Sequence, residues 1–300
     1  MKRILAIALI LLLSLSLLVT AACSSNTNTE TQDDTPTTSA EPPATTQEPP
    51  TPIPTEPPPE FITIKGEEYS TALTELYLSD LELSDADIEP LRDMKNLTSL
   101  DLSSNNISNI SPLAELTGLT ELSLPYNQIS DISPLTELKG LTDLHLSSNN
   151  ISDISPLAEL TGLTDLDLFS NNISNISPLA ELTGLTTLHL DFNNQISDIS
   201  PLAELKGLTQ LYLDGNQISN ISPLAKLKGL TQLYLYGNNI SDISPLAELT
   251  ELTELGLSHN NISDLSPLAE LKGLTYLYLD DNPITDWSPV EHVETVLGRY

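Results

Sequence analysis

The sequence predicts an α/β solenoid, in which short parallel strands alternate with short helices or 3₁₀ turns around one long core. Three observations carry that expectation. From Leu97 the chain repeats itself every 22 residues, in units that begin at Leu97, Leu119, Leu141, Leu163, Leu185, Leu208, Leu230, Leu252 and Leu274, with one step of 23. Within a unit, leucines alternate with polar residues, as in Leu163-Thr164-Asp165-Leu166-Asp167-Leu168. Each unit then runs into a Ser-Pro pair, as in Ser177-Pro178-Leu179. A period of this length marks stacked units that cannot bury their apolar faces alone.

The chain opens on MKRILAIALILLLSLSLLVTAAC. Lys2 and Arg3 precede an apolar run, and Ala21 and Ala22 precede Cys23. That is the layout of a secretory signal over residues 1–22. The segment also resembles the lipobox of bacterial lipoproteins, although Thr20 stands where that family usually has an aliphatic residue. The resemblance implies lipidation of Cys23, a membrane attachment through that lipid, and a chain outside the cytoplasm. An uncleaved membrane anchor and an ordinary signal with a stray cysteine are the alternatives these residues allow. Cys23 is the one cysteine of the sequence, so no internal disulfide can form.

Residues 23–60 follow as a Thr/Pro/Glu-rich stalk. With little to bury, such a stretch cannot offset its ordering entropy, and it is expected to be a disordered, extended tether. The repeat domain, with its terminal caps, is expected over 61–300. Loss of the leader removes Lys2 and Arg3 and leaves nine basic residues against 42 acidic ones. So acidic a chain repels phosphates, which excludes nucleic acid as a partner and favours a basic or mixed-charge one.

The unit at residues 163–184 stands for the others. Leu166 and Leu168 face inward from a strand, Ile173 and Ile176 turn in again, and Ser177 with Pro178 starts a short helix as its N-cap and first residue. Gly184 is expected in the left-handed region that ends the helix. Strands of successive units then pair in parallel through right-handed crossovers. Asn105, Asn127, Asn149, Asn171, Asn216, Asn238, Asn260 and Asn282 recur at one place, where a buried amide can satisfy the backbone of adjoining turns. A degenerate first unit begins at Leu73, which makes ten. Residues 61–70 are expected to cover one end as an edge strand. Residues 291–300 are expected to cover the other as an amphipathic cap, with Trp287 packed where other units carry Ile.

The pattern L-x-x-L-x-L-x-x-N-x-I-S-x-I-S-P-L spans roughly residues 73–290. It resembles the leucine-rich repeat, and its 22-residue form is similar to internalin-like bacterial surface proteins. The resemblance implies a right-handed leucine-rich repeat solenoid with the parallel β-sheet on the concave face and the short helices or 3₁₀ turns on the convex face. It also implies adhesion or partner recognition.

Function must then reside where the repeat varies, at the third, fifth, seventh and eighth positions of each unit, which are expected to face outward. Tyr212, Tyr234, Tyr236, Tyr276 and Tyr278 gather aromatics toward the C-terminal half, and Phe169 adds to them. Asp167, Asp191, Asp214 and Asp280 lie around them. Clustered exposed aromatics mark an interface, and the acids favour a basic partner. These ten residues are the expected ligand-binding set for a protein or peptide partner; a glycan stacked on the tyrosines is the alternative. His145, Asp167 and His189 follow one another down the fifth position and form the remote candidate for a metal site, with metal-dependent hydrolysis as its chemistry. No nucleophile–base pair, phosphate loop or cofactor fingerprint is visible, so the expected function is non-enzymatic recognition with no cofactor.

Overall fold

The computed structural model describes residues 59–299. The expected leader, Cys23 and the stalk as far as residue 58 lie outside the described residues.

The repeat writes the sheet. Three-residue strands β3 (Glu75–Tyr77), β4 (Ser99–Asp101), β5 (Glu121–Ser123), β6 (Asp143–His145), β7 (Asp165–Asp167) and β8 (Thr187–His189) come first. They continue as β9 (Gln210–Tyr212), β10 (Gln232–Tyr234), β11 (Glu254–Gly256), β12 (Tyr276–Tyr278) and β13 (Thr295–Leu297). All eleven form one parallel sheet in sequence order. Register holds without slip, as in Asp143↔Asp165, Leu144↔Leu166 and His145↔Asp167. The middle residue of each strand points inward and its neighbours point out, because side chains alternate across a pleat. The result is a solenoid whose parallel sheet forms the concave wall.

Within the regular units the inward aliphatics are sealed. In the unit at 163–184 the seven residues Leu163, Leu166, Leu168, Ile173, Ile176, Leu179 and Leu182 are each 0–1% exposed. Burying such side chains stabilises by ~1.5–3 kcal/mol each, whereas ordering a backbone residue costs ~1–2 kcal/mol. A single unit therefore depends on its neighbours. The asparagine column joins them. Asn171 donates through Nδ2 to the Leu146 and Leu168 carbonyls at 3.0 and 3.3 Å, and its Oδ1 accepts the Ile151 amide at 3.0 Å. A threonine column adds bonds such as Thr164 Oγ1 to the Thr142 carbonyl at 3.2 Å.

The convex segments are 3₁₀ turns such as Ser155–Glu159 and Ser177–Glu181, one of the two expected forms. Three local expectations are corrected. The serine of these turns does not cap; the residue two before it does, as when Asp153 Oδ1 accepts the Ser155 amide at 2.8 Å. That backbone bond holds the Asp153 carboxyl below its usual range. Gly184 is not in the left-handed region; its place is tight, since a Cβ there would lie 3.2 Å from the carbonyl of Leu163, which begins the same unit. Residues 61–70 are not an edge strand of the main sheet. They form an antiparallel hairpin of β1 (Phe61–Ile64) and β2 (Glu67–Ser70), turned on Lys65 and Gly66, whose φ angles of 48° and 89° suit a two-residue hairpin loop. Ile62 and Ile64 close the end of the core, and Lys65 Nζ donates to the Leu81 and Glu82 carbonyls. At the other end the C-terminal segment supplies a further strand, β13, with Leu277↔Val296 in register. Trp287 packs against the core, with Arg299 6.0 Å from its ring centre.

The odd step of 23 also resolves. Asn193, missing from the column read in the sequence, occupies it, 1% exposed and bonded to the Leu168 and Leu190 carbonyls. Asn194, at φ 62°, absorbs the extra residue.

Candidate functional site

The varied positions divide by column. Third and fifth residues of each unit lie on the strands and flank the buried leucine, so they face the open side of the sheet. Seventh residues lie at the turn out of the strand, and most are more covered than expected: Asp191 is 5%, Ser147 8% and Ser258 7% exposed.

Burial gives those seventh-position groups a backbone task. Asp191 Oδ1 accepts the Asp214 amide at 3.1 Å, Asp214 Oδ1 accepts the Tyr236 amide at 2.7 Å, and Ser258 Oγ accepts the Asp280 amide at 3.1 Å. Each thus satisfies a turn of the next unit. Asp167, at a fifth position, accepts the Phe169 amide at 2.9 Å. The expected exposed acidic field is corrected accordingly: Asp191 is buried, and Asp167 and Asp214 hold the fold at the surface they border. Asp280 bonds through its amide and its carboxylate to Ser258. Burial, with the Asp191 charge beside it, pushes the Asp214 carboxyl up to about 7, against the pull of the Tyr236 amide.

The aromatics are gathered. His189 and Tyr212 stack with ring centres 4.0 Å apart and planes 5° from parallel; Tyr212 and Tyr234 continue the stack at 5.1 Å and 4°. Sheet register forces this arrangement, since equal positions lie one strand spacing apart, ~4.8 Å. Hydroxyls tie each ring to the next unit. Tyr212 donates to Gln232 Oε1 at 3.0 Å, and Tyr234 donates to Glu254 Oε2 at 2.5 Å. Burial first, then the Glu254 carboxylate, raises the Tyr234 hydroxyl above its ordinary value, so Tyr234 stays protonated. Beside the stack, Tyr236 meets His259 edge-on at 4.8 Å, and Phe169 meets Phe192 edge-on at 5.6 Å. Tyr236 and Tyr276 are 39% and 45% exposed; Phe169, Tyr212, Tyr234 and Tyr278 are half-buried. Gln232, Glu254, Gly256 and His259 belong to the same surface. The signal for them was their position in the unit rather than their type.

The metal candidates are not brought together. His145 Nε2 faces Asp165 at 3.5 Å, whereas His189 Nδ1 faces Asp191 at 3.5 Å and gives its ring face to Tyr212. Among the described residues no three His, Cys, Asp or Glu side chains converge as a metal set. The Asp165 hydrogen bond raises the His145 imidazole, while burial opposes it. For His189, burial disfavours the charged ring, but the bond to Asp191 and the neighbouring Asp167 charge outweigh it and the net shift is upward.

Charge segregates as well. No lysine or arginine occupies a third, fifth or seventh position in the ten units from Leu73 to Leu274, whereas acids recur there from Glu75 to Asp280. Lysines lie along the opposite edge of the units, where Lys95, Lys139 and Lys228 pair with Glu115, Glu159 and Glu248.

Comparison with known proteins follows the same lines. The chain matches the family described as Leucine Rich repeats (2 copies) over 117–159, 161–204, 206–248 and 250–292, and the one described as Leucine rich repeat over 71–129. Among solved structures it is similar to an internalin, InlF, from Listeria monocytogenes, with 38% identity, a TM-score of 0.72, and coverage of 77% of this chain and 69% of that one. Internalin C2 from Listeria monocytogenes matches with 37% identity and a TM-score of 0.51, over 68% of this chain and 81% of that one. The functional domain of InlJ from Listeria monocytogenes, described as including a cysteine ladder, matches with 25% identity and a TM-score of 0.61, over 77% and 55%. No curated protein matches.

Proposed function

This chain belongs to the leucine-rich repeat family, in its internalin-like form, and we propose on that premise that it is a non-enzymatic recognition module. It binds a protein or an extended peptide against the aromatic half of its concave sheet. The ring column of His189, Tyr212 and Tyr234, set in a wall whose strands β3 to β12 carry no lysine or arginine, carries this reading. Rings held in register by the sheet lose little freedom on binding, and aromatic anchors on a rigid frame supply most of the energy in such interfaces. The acids around them suit a partner with basic groups.

A glycan is supported less well. Sugars stack on open ring faces, and in this column Tyr212 has both faces covered, by His189 and Tyr234. The leader and Cys23 support a chain outside the cytoplasm, attached to a membrane by lipid. Among the described residues no helix is long and apolar enough to cross a membrane. Mass spectrometry of the mature N-terminus tests the attachment: an unmodified Cys23 contradicts it. Tyrosine labelling tests the binding face. A bound partner should shield Tyr236 and Tyr276 from tetranitromethane; nitration of both at the unbound rate moves the interface elsewhere.

A further inference from the structure

The fifth-position column is interrupted once. His189, Tyr212 and Tyr234 occupy consecutive strands, Gly256 follows, and Tyr278 resumes the column. Tyr212 covers one face of the Tyr234 ring, and the ring leans on the glycine, where a Cβ would stand 2.8 Å from its Cδ1. Tyr234 and Tyr278 are two strand spacings apart, ~10 Å at the backbone. The missing side chain leaves a cavity of about 210 Å³ there, lined by Asp214, Tyr234, Tyr236, Gly256, Ser258 and Tyr278.

We propose that this recess receives the guanidinium of one arginine side chain of the bound partner. The proposal rests on the reading that this face is the binding face, and it names the chemistry recognised there. Three features select arginine. The walls are aromatic, and a planar, weakly hydrated guanidinium stacks on such rings. The same lining holds the Asp214 carboxyl and the Ser258 hydroxyl, which are acceptors for a group that only donates. The neighbouring strand position carries Glu254, and strands β3 to β12 carry no lysine or arginine. A lysine ammonium is compact and strongly hydrated, so it neither fills a flat slot nor sheds its water easily.

The test uses the full mature chain with isotope-labelled tyrosine rings and two probes, N-acetyl-glycyl-arginyl-glycinamide and its citrulline twin, which keeps the shape and loses the charge. The arginine peptide should move the ring signals of Tyr234, Tyr236 and Tyr278 saturably, and the citrulline peptide should bind at least about tenfold more weakly. Gly256→Val fills the recess and should abolish the response with the fold intact. Should valine disturb the strand, Tyr278→Ala, which removes a wall instead, should abolish it too. Equal response to both peptides, shifts confined to other tyrosines, or no shift up to about 50 mM probe overturns the proposal. A partner that folded Gly256→Val captures at full strength overturns the arginine recess and leaves the binding face standing. Capture that survives loss of Tyr236 and Tyr276 overturns the face itself.

Discussion

The Ile173 amide donates to the side-chain oxygen of Asn193 at 3.0 Å, a bond that links each unit to the next along the solenoid. One unit further on it is broken. Asn216 Oδ1 is buried and has no hydrogen-bond partner, while its Nδ2 keeps its bonds to the Leu190 and Leu213 carbonyls. The extra residue Asn194 stands between Asn193 and Ile196 and displaces the amide that would reach it. A buried acceptor without a donor costs roughly 1–3 kcal/mol. Deleting Asn194 restores the step of 22 and should raise the melting temperature. A deletion variant that melts at or below the parent temperature contradicts this account of the odd unit.

The asparagine column as a whole predicts a sharp contrast between neighbours. Asn171 is buried with its donors and acceptor engaged, whereas Asn172 is exposed. Asn171→Ala should destabilise by about 1–3 kcal/mol, and Asn172→Ala by less than about 0.5 kcal/mol. Urea unfolding of the two variants checks the difference; similar losses would show that the side-chain bonds between units are not what distinguishes the two positions.

Asp214 predicts a pH dependence. Its carboxyl titrates near 7 in the folded chain, against 3.8 for an unperturbed aspartate, because it is buried beside Asp191. Between those values the folded chain holds a proton that the unfolded chain has released. This contribution to stability is full below about pH 4 and is lost as pH rises through about 7. Asp214→Asn keeps an oxygen for the Tyr236 amide and removes the charge. The variant should match the parent near pH 4 and exceed its stability at pH 8, by on the order of 2–4 kcal/mol. Parallel stability curves for parent and variant from pH 4 to 8 would refute the assignment.

Much of the solenoid is legible in the sequence because one physical constraint is written repeatedly. A leucine that must face the core recurs at the same place in each unit, so strands, register and the asparagine column follow from the spacing. Asn193 escaped because the longer unit disturbed the count after it. The terminal strand Thr295–Leu297 escaped because Val293 and Val296 stand where other units place leucine. Gly184 misled for a different reason: a glycine set close against a backbone carbonyl looks the same as one required by a left-handed turn. Glu251 occupies the equivalent place before Leu252, so the contact tolerates a side chain there. The binding candidates were the least legible. An aspartate that accepts a backbone amide and one that awaits a ligand are written with the same letter. Asp167 and Asp191 are of the first kind, which the geometry of the turns reveals and spacing does not, and Asp214 both accepts an amide and lines the recess. The tyrosines were readable, since a column in a parallel sheet stacks whatever stands in it.

The central claim is that the exposed tyrosines of the concave wall carry partner binding, and one measurement bears on it most directly. The mature parent chain and a Tyr236→Ala, Tyr276→Ala variant are compared for capture of the same partner, after circular dichroism and thermal melting confirm that both are folded. Both side chains are exposed, so their loss should leave the stacked column and the fold in place. The account predicts at least about a tenfold loss of affinity, as expected for removal of aromatic anchors. Undiminished capture by the folded variant would contradict it.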